Sequence, residues 1–403
     1  MDKVAIVSTI QPETHYTRYL YRELRKINRN IYLLIDDIPE NDRFVETQKD
    51  ENINKVWIPN LSFPFTINKF IESKNIEIIH LQHEFNMYGG IKGVFIFLFT
   101  MIFLKIKRKN IVVTTHAMVN YRTIDNKFLE DFALDRFKCV KGIVKIVFYI
   151  FYKILALIAD KIIVHSNFTK KIYMDAYKAK ESKCFVIPIG VDNSSPIVVD
   201  DEELDSKPEW AKEIKGKNII LYFGYILKRK GLELLIEAFS RLKNELPNSV
   251  LVLAGGTLEH QKEYVDDLKR IVAEKGLTKE IIFTGFLSKK EIDFLYNKSD
   301  FVVLPYTHSI SSSLPLSLAF QAGKPVITSD IGTLRDEIID NVNGLFFERG
   351  NIKELSDKIH ILSTNNSLLK KLQEGAKRES IVRSWAKVAH LTNDLIYSKG
   401  KSS

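Results

Sequence analysis

The chain has 403 residues, 45% of them hydrophobic and 27% charged, a globular composition that excludes wholesale disorder, a collagen-like fibre and a polytopic membrane protein. At roughly 150 residues per domain it predicts two or three domains, and its two cysteines, Cys139 and Cys184, have no CxxC spacing that would suggest a disulfide scaffold or a zinc site. The formal net charge is +9, from 59 basic and 50 acidic side chains, an excess that attracts polyanions.

Met1-Asp2-Lys3 leads straight into Val4-Ala5-Ile6-Val7. That apolar run is too short for a secretory leader and reads as a first strand, Val4–Thr9. Further β-branched runs predict strands at Ile31–Leu34, Ile78–Leu81, Ile111–Thr115, Ile162–Val164 and Phe185–Ile187. They are apolar throughout, as strands buried on both faces are.

Two apolar stretches interrupt this series. Gly93–Leu104 is uncharged for twelve residues, short of the roughly 18 needed to span a bilayer. Lys105, Lys107, Arg108 and Lys109 follow it. Gly142–Ala159 is long enough but carries Lys145 and Lys153. At about 100° per residue, Lys138, Lys141, Lys145 and Lys153 share one arc, with Val144, Val147, Phe151, Ile154, Leu155 and Ile158 opposite. Between Ile91 and Lys161 there are 13 basic and 5 acidic residues, so this stretch carries nearly the whole net charge. The reading is an amphipathic basic helix that packs on the first sheet, either for packing alone or with attachment to an anionic membrane surface as well. No helix-turn-helix, zinc-finger or RNA-recognition signature accompanies the charge, so a nucleic-acid partner is not expected. The expected location is cytoplasmic, peripheral to the membrane face.

Residues 191–216 hold Pro196, Asp200-Asp201-Glu202-Glu203 and Pro208, with no sustained periodicity. They predict a linker at 196–217 between a first domain, 1–195, and a second, 218–378. A helix near 380–397 is expected to pack back on the first domain. In the second half, strands are predicted at Ile219–Phe223, Val250–Ala254, Ile281–Thr284, Phe301–Leu304 and Val326–Thr328. Helical patterns separate them. This alternation predicts an α/β protein of two doubly wound, Rossmann-like domains facing a cleft. Ligands then bind beyond the carboxyl ends of the strands.

The residues at those ends suggest the chemistry. Phe223-Gly224 closes a strand, and Lys228-Arg229-Lys230-Gly231 follows before a helix. Cations beside a helix start suit a diphosphate. After Leu304-Pro305-Tyr306, the run Ser311-Ser312-Ser313-Leu314-Pro315 supplies an N-cap and a possible phosphate cradle. His83-Glu84 and His116 each end a strand in the first half.

Taken in order, the pieces resemble a known family. They are Phe223-Gly224, Lys230-Gly231-Leu232, Val252-Leu253-Ala254-Gly255, Phe283-Thr284-Gly285-Phe286, Gly323-Lys324-Pro325-Val326 and Asn343-Gly344-Leu345. The series resembles the donor domain of family 4 glycosyltransferases, which have the GT-B fold. Ala159-Asp160-Lys161-Ile162-Ile163-Val164-His165-Ser166 and Val186-Ile187-Pro188-Ile189-Gly190-Val191-Asp192 look like the end of that family's acceptor domain. Leu81-Gln82-His83-Glu84-Phe85 and Thr114-Thr115-His116 look like a subset of the family.

There are departures. The family's two glutamates, eight residues apart, fall here on Ile310 and Leu318, and Ser311-Ser312-Ser313-Leu314-Pro315-Leu316 looks like a branch with a serine-rich segment instead. The usual Arg after the first Gly is Tyr225. The Gly-rich first loop of the acceptor domain is replaced by Gln11-Pro12-Glu13-Thr14-His15.

The resemblance implies transfer of a sugar from a nucleotide-sugar donor to a lipid-linked, polysaccharide or glycoconjugate acceptor, with retention of configuration. It implies no metal and no other cofactor, and the sequence has no Asp-x-Asp after a strand. His116 would contact the donor sugar, with His83 and Glu84 as further catalytic candidates. Gly224, Arg229, Lys230, Phe286, Ser311, Ser312, Ser313 and Leu314 would bind the donor, Phe286 lying against the base. Alternatives are a nucleotide-sugar epimerase or phosphorylase on the same fold, or a silent subunit that binds without transfer. The absent carboxylates favour the silent subunit; His116 and Arg229-Lys230-Gly231 count against it.

Overall fold

The computed structural model describes residues 2–10, 16–42, 45, 48–85, 87–88, 90–132, 134–192, 208–257 and 261–397. The first-loop segment Gln11–His15 and most of the expected linker, 196–207, lie outside the described residues.

Two parallel sheets form the frame. The first contains β1 (Val4–Val7), β2 (Ile31–Asp36), β3 (Ile53–Trp57), β4 (Ile78–His83), β5 (Asn110–Thr115), β6 (Lys161–Val164) and β7 (Cys184–Val186). Their order is β3-β2-β1-β4-β5-β6-β7. The second contains β8 (Asn218–Phe223), β9 (Ser249–Ala254), β10 (Ile281–Gly285), β11 (Phe301–Leu304), β12 (Val326–Ser329) and β13 (Gly344–Phe347), ordered β10-β9-β8-β11-β12-β13. This is the expected pair of doubly wound domains. In each sheet the winding reverses beside the first strand: Val4–Val7 pairs with Ile31–Leu34 on one side and Ile78–Leu81 on the other. That reversal opens a crevice at the carboxyl ends of the strands.

β3 and β13 were not among the expected strands. Both are outermost. In β3 only Ile53 and Trp57 are fully buried, so Asn54 and Lys55 between them break the apolar run. β13 begins with a glycine and has four residues.

The first sheet has apolar packing on both faces. One face holds Phe63, Phe97, Met101, Leu104, Phe151 and Tyr152. The other holds Leu20 and Leu24 from the helix Tyr16–Ile27, together with Trp385, Val388, Ala389 and Ile396 from the C-terminal end. The chain returns to the first sheet after the helix Asn366–Val382. There the Val191 amide donates to the Arg383 carbonyl (2.7 Å), and the Trp385 amide donates to the Val191 carbonyl (3.2 Å). Gly190 is required at this crossing, because a Cβ there would lie 2.2 Å from the Trp385 ring.

The helices Gly90–Ile106 and Lys141–Ile158 differ from expectation in what they expose. Phe151 and Leu155 are buried as their side of the wheel predicts, but Val147 is 46% exposed. Ile143, Ile146, Ile150 and Leu157 are exposed with it, as are Phe95, Phe99, Ile102 and Ile106 on the other helix. The outermost surface is thus apolar, with Lys141, Lys145 and Lys153 half-buried at its sides. Part of the positive charge is paired internally: Lys105 with Asp160 (2.5 Å) and Lys138 with Glu130 (2.8 Å). No helix among the described residues is long and apolar enough to cross a membrane.

Candidate active site in the interdomain cleft

A cleft of about 490 Å³ lies between the carboxyl ends of the two sheets. Of the expected site residues, Glu84, His116, Gly224, Arg229, Lys230, Phe286, Ser311, Ser312, Ser313 and Leu314 all line it. His83 does not. It is 1% exposed and caged by the rings of Phe85, Phe97, Phe151 and Tyr152. Burial pushes its pKa down to about 3. The expectation of a catalytic His83 is corrected: as the last residue of β4 its side chain points into the core, and Glu84, one residue later, turns to the cleft.

Arg229 and Lys230 sit in a single turn, Lys228–Lys230, which ends at Gly231 with φ +67°. That conformation, and the 2.1 Å approach a Cβ would make to the Pro305 carbonyl oxygen, require glycine. The Arg229 guanidinium lies 5.1 Å from the ring centre of Phe132, from the opposite domain, and the Lys230 ammonium lies 3.5 Å from that of Tyr306. Among the described residues neither forms an ion pair. Burial of the charged ends lowers both pKa values, Lys230 well below its ordinary value, and Arg229 depresses Lys230 further. Glu84 is exposed to the cleft, with protein atoms crowded around its carboxyl. Burial therefore raises its pKa, and Arg229 opposes the rise.

The serine loop is tied to both domains. Ser311 pairs with Ala117 in an isolated bridge, and the Met118 amide donates to the Ile310 carbonyl (2.6 Å). Ser313 caps the helix Leu314–Gln321, its hydroxyl accepting from the Leu316 amide (3.4 Å). The Ser312 hydroxyl lies close enough to Glu337 to favour its carboxylate, though burial dominates and raises Glu337 to about 7. Ile310 packs on the core of the first domain and Leu318 lines the cleft, so neither position supplies a carboxylate. Phe286 is 71% exposed and meets the Tyr225 ring edge-on at 6.1 Å.

His116 is half-buried. One ring nitrogen, Nε2, lies 2.8 Å from Gln82 Oε1 and the other, Nδ1, lies 3.1 Å from His165 Nε2. The Tyr16 ring packs against it at 4.7 Å. Sequence reasoning assigned no role to Gln82 or His165, although both stand in the quoted segments beside the strand ends. It also missed Tyr16, Tyr19, Asp192 and Trp385 in the cleft wall. A contact between domains was missed too: Asp131 Oδ2 accepts from Thr307 Oγ1 (3.1 Å) and lies 2.5 Å from His308 Nδ1. These partners are 176 and 177 positions apart, and no local pattern marks them. Among the described residues no group of three or more His, Cys, Asp or Glu could hold a metal ion.

Comparison with known proteins places this geometry. Residues 14–195 match the family described as Glycosyltransferase Family 4, and residues 205–379 match Glycosyl transferases group 1. The chain is 27% identical over 248 residues to the capsular polysaccharide biosynthesis glycosyltransferase CapM of Staphylococcus aureus, covering 60% of this chain and 63% of that one. It is 29% identical over 195 residues to the serotype-specific mannosyltransferase WbdA of Escherichia coli, covering 47% and 23%. An uncharacterized glycosyltransferase of Methanocaldococcus jannaschii is 29% identical over 153 residues, covering 36% and 37%. The matches thus span less than two thirds of each relative. In fold, Anabaena HepE in complex with UDP has a TM-score of 0.74 at 15% identity, with 98% of this chain and 100% of that one covered. Sucrose-phosphate synthase of Thermosynechococcus elongatus has 0.71 at 18% identity, with 98% of each covered. The chain belongs to the family 4 type of glycosyltransferases, with the GT-B fold.

Proposed function

We propose that the chain moves a hexosyl group from a nucleotide-sugar donor to a glycan or lipid-linked acceptor, with retention of configuration and without a metal. Residues 218–378 hold the donor, 1–195 face the acceptor, and 196–217 link them. The observation that carries this reading is the pair Arg229 and Lys230. Two adjacent cations, enclosed at the reversal of the second sheet and without an ion pair among the described residues, are costly unless an anion completes the site. A diphosphate does so, and its charge grows as the glycosidic bond breaks. The serine loop adds hydroxyls at the start of Leu314–Gln321. Phe286 and Tyr225 offer faces for the base. Glu84 and His116 line the same cleft toward the sugar and the acceptor. The UDP in the HepE complex and the polysaccharide role in the CapM name agree with this reading. The exposed apolar faces of Gly90–Ile106 and Lys141–Ile158, flanked by lysines, would hold the enzyme on an anionic membrane.

A charge-assisted hydrogen bond is worth roughly 1.5–3 kcal/mol. Replacing Arg229 and Lys230 together by Ala is therefore expected to weaken UDP and GDP binding by on the order of 100-fold or more, with the fold intact. Turnover of the wild type is expected to survive EDTA. Unchanged nucleotide affinity would remove the site assignment, and activity lost in EDTA and restored by Mg²⁺ would remove metal independence. A second reading, binding without turnover, is favoured by Leu318 lining the cleft where the family places a carboxylate. Donor bound but never cleaved, with lipid acceptors supplied, would support it.

A further inference from the structure

His116 stands at the cleft end of a buried hydrogen-bonded chain. Its Nδ1 meets His165 Nε2 (3.1 Å), and His165 Nδ1 meets the Ile187 carbonyl (2.8 Å). On the other side its Nε2 meets Gln82 (2.8 Å), which meets His80 Nε2 (3.0 Å). His80 Nδ1 in turn meets the Tyr397 hydroxyl (2.5 Å). Gln82, His80, His165 and Tyr397 are all at most 5% exposed, so these partners have no water to exchange with and the donors and acceptors must balance.

Among the described residues the balance allows two states. A carbonyl only accepts, so His165 carries its proton on Nδ1. Burial lowers the pKa of His165 to about 4 and that of His80 to about 3, which keeps each singly protonated near neutrality. His165 Nε2 is then an acceptor, and His116 Nδ1 must donate to it. What remains is the other nitrogen of His116 and the orientation of the Gln82 amide.

With Oε1 toward His116, His116 Nε2 must also carry a proton, and the ring is a cation. The amide nitrogen then donates to His80 Nε2, and the His80 proton sits on Nδ1, donating to Tyr397. With the amide reversed, its nitrogen donates to a bare His116 Nε2, and the ring is neutral. Oε1 then accepts from His80 Nε2–H, and His80 Nδ1 accepts from the Tyr397 hydroxyl. The Thr114 hydroxyl, 2.6 Å from His80 Nε2, serves either state as donor or acceptor. Between the states one proton is gained, on His116 Nε2, and the single proton of His80 passes from Nε2 to Nδ1.

We propose that Gln82, His80, Tyr397 and His165 are positioning residues that form a two-state relay, coupling the charge of His116 to the tautomer of His80 and to the C-terminal turn Asn393–Tyr397. Among the described residues, the other titratable groups near the ring are Tyr16, packed against it, and Tyr19, Glu84, Asp192, Tyr225, Arg229, Lys230 and Tyr306 in the same cleft. In its charged state His116 adds a cation to a wall already carrying Arg229 and Lys230, which favours a bound diphosphate. In its neutral state it favours release. That consequence rests on the transfer reading; the relay itself does not.

The test is imidazole ¹⁵N spectroscopy of the full chain, labelled at histidine, through a pH titration. The expected result is that His80 changes from the Nε2–H to the Nδ1–H form with the same midpoint at which His116 gains its second proton. In Gln82→Met, which removes the amide, His116 should titrate without any change at His80. A wild-type His80 that keeps one tautomer while His116 titrates overturns the relay, and so does a His116 that never titrates between about pH 5 and 9. Release of UDP from UDP-glucose and of GDP from GDP-mannose is followed over the same range. Coupled titration without turnover of either donor upholds the relay and counts against transfer. Turnover with uncoupled titration removes the relay alone.

Discussion

Asp131 and His308 hold the two domains together at one point of the cleft. Burial works to raise the pKa of Asp131. The hydrogen bond and charge of His308, with Lys127 and Thr307, overcome it and bring the carboxyl below its ordinary value. A carboxyl depressed in the folded state contributes stability that is fully present above its unfolded pKa, about 3.9. That stability is lost as the pH falls through the folded value. The clamp is therefore expected to hold from neutrality down to about pH 4 and to open below it. Asp131→Asn should open it at neutral pH, because the amide keeps the shape but not the charge, at a cost of about 1–3 kcal/mol. The radius of gyration from X-ray scattering, with and without UDP, reads the change. An Asp131→Asn variant as compact as the wild type would show that the remaining contacts, such as the Phe168 amide on Asp336 (2.7 Å), suffice to close the cleft.

The strands legible in the sequence are those buried on both faces, because their runs are uninterrupted. β3 was hidden because its centre is only half-buried and Lys55 bridges outward to Asp37 and Asp42, and β13 because it is four residues long and opens on a glycine. The donor side of the cleft was legible for a related reason: Gly224, Arg229, Lys230 and the serine run each follow a strand directly. The His116 network was not, because Gln82, His165 and Tyr397 meet only when β4, β5, the end of β6 and the C-terminal turn pack together. The helical wheel of Lys141–Ile158 found the buried Phe151 and Leu155 but put Val147 with them. The sheet covers only one side of that helix, leaving Ile143, Ile146, Val147 and Ile150 outside. Exposed side chains of this kind, beside lysines, predict binding to anionic vesicles that is weakened but not abolished by salt. Charge attraction is screened within about 10 Å at 0.1 M salt, whereas apolar burial is not. Lys107, Arg108 and Lys109 to Gln should weaken binding at low salt and flatten the salt dependence, and Ile146→Glu with Ile150→Glu should remove the salt-resistant part. Flotation with phosphatidylglycerol vesicles measures both. A wild type that stays unbound at low salt would make the face an interior of some other contact and leave the acceptor unanchored.

The whole molecule is two sheets joined at residues 191–208 and again at Arg383, and the second joint is part of the first domain's core. Trp385 is 5% exposed, stacks on Tyr19 (5.5 Å, 11°) and meets Tyr16 edge-on (5.0 Å). Both tyrosines also line the cleft, so the C-terminal crossing supports the acceptor side of the site from behind. Val388, Ala389 and Ile396 continue the same apolar layer over β1 and β2. The first domain is therefore incomplete without a segment that follows the second in the chain. Trp385→Ala is expected to cost about 3–5 kcal/mol, the usual range for emptying a buried aromatic site. The loss should fall on one domain. Hydrogen exchange resolved by peptide should show faster exchange over Val4–Val7 and Ile31–Asp36, while Asn218–Phe223 and Phe301–Leu304 keep their protection. UDP affinity should change little, because Arg229, Lys230 and the serine loop belong to the second sheet. Removing residues 384–403 should have the same pattern in stronger form, since it also takes away Tyr397 and its bond to His80. Equal loss of protection in both sheets would mean that the domains unfold as one cooperative unit, and the division of stability at Arg383 would fail.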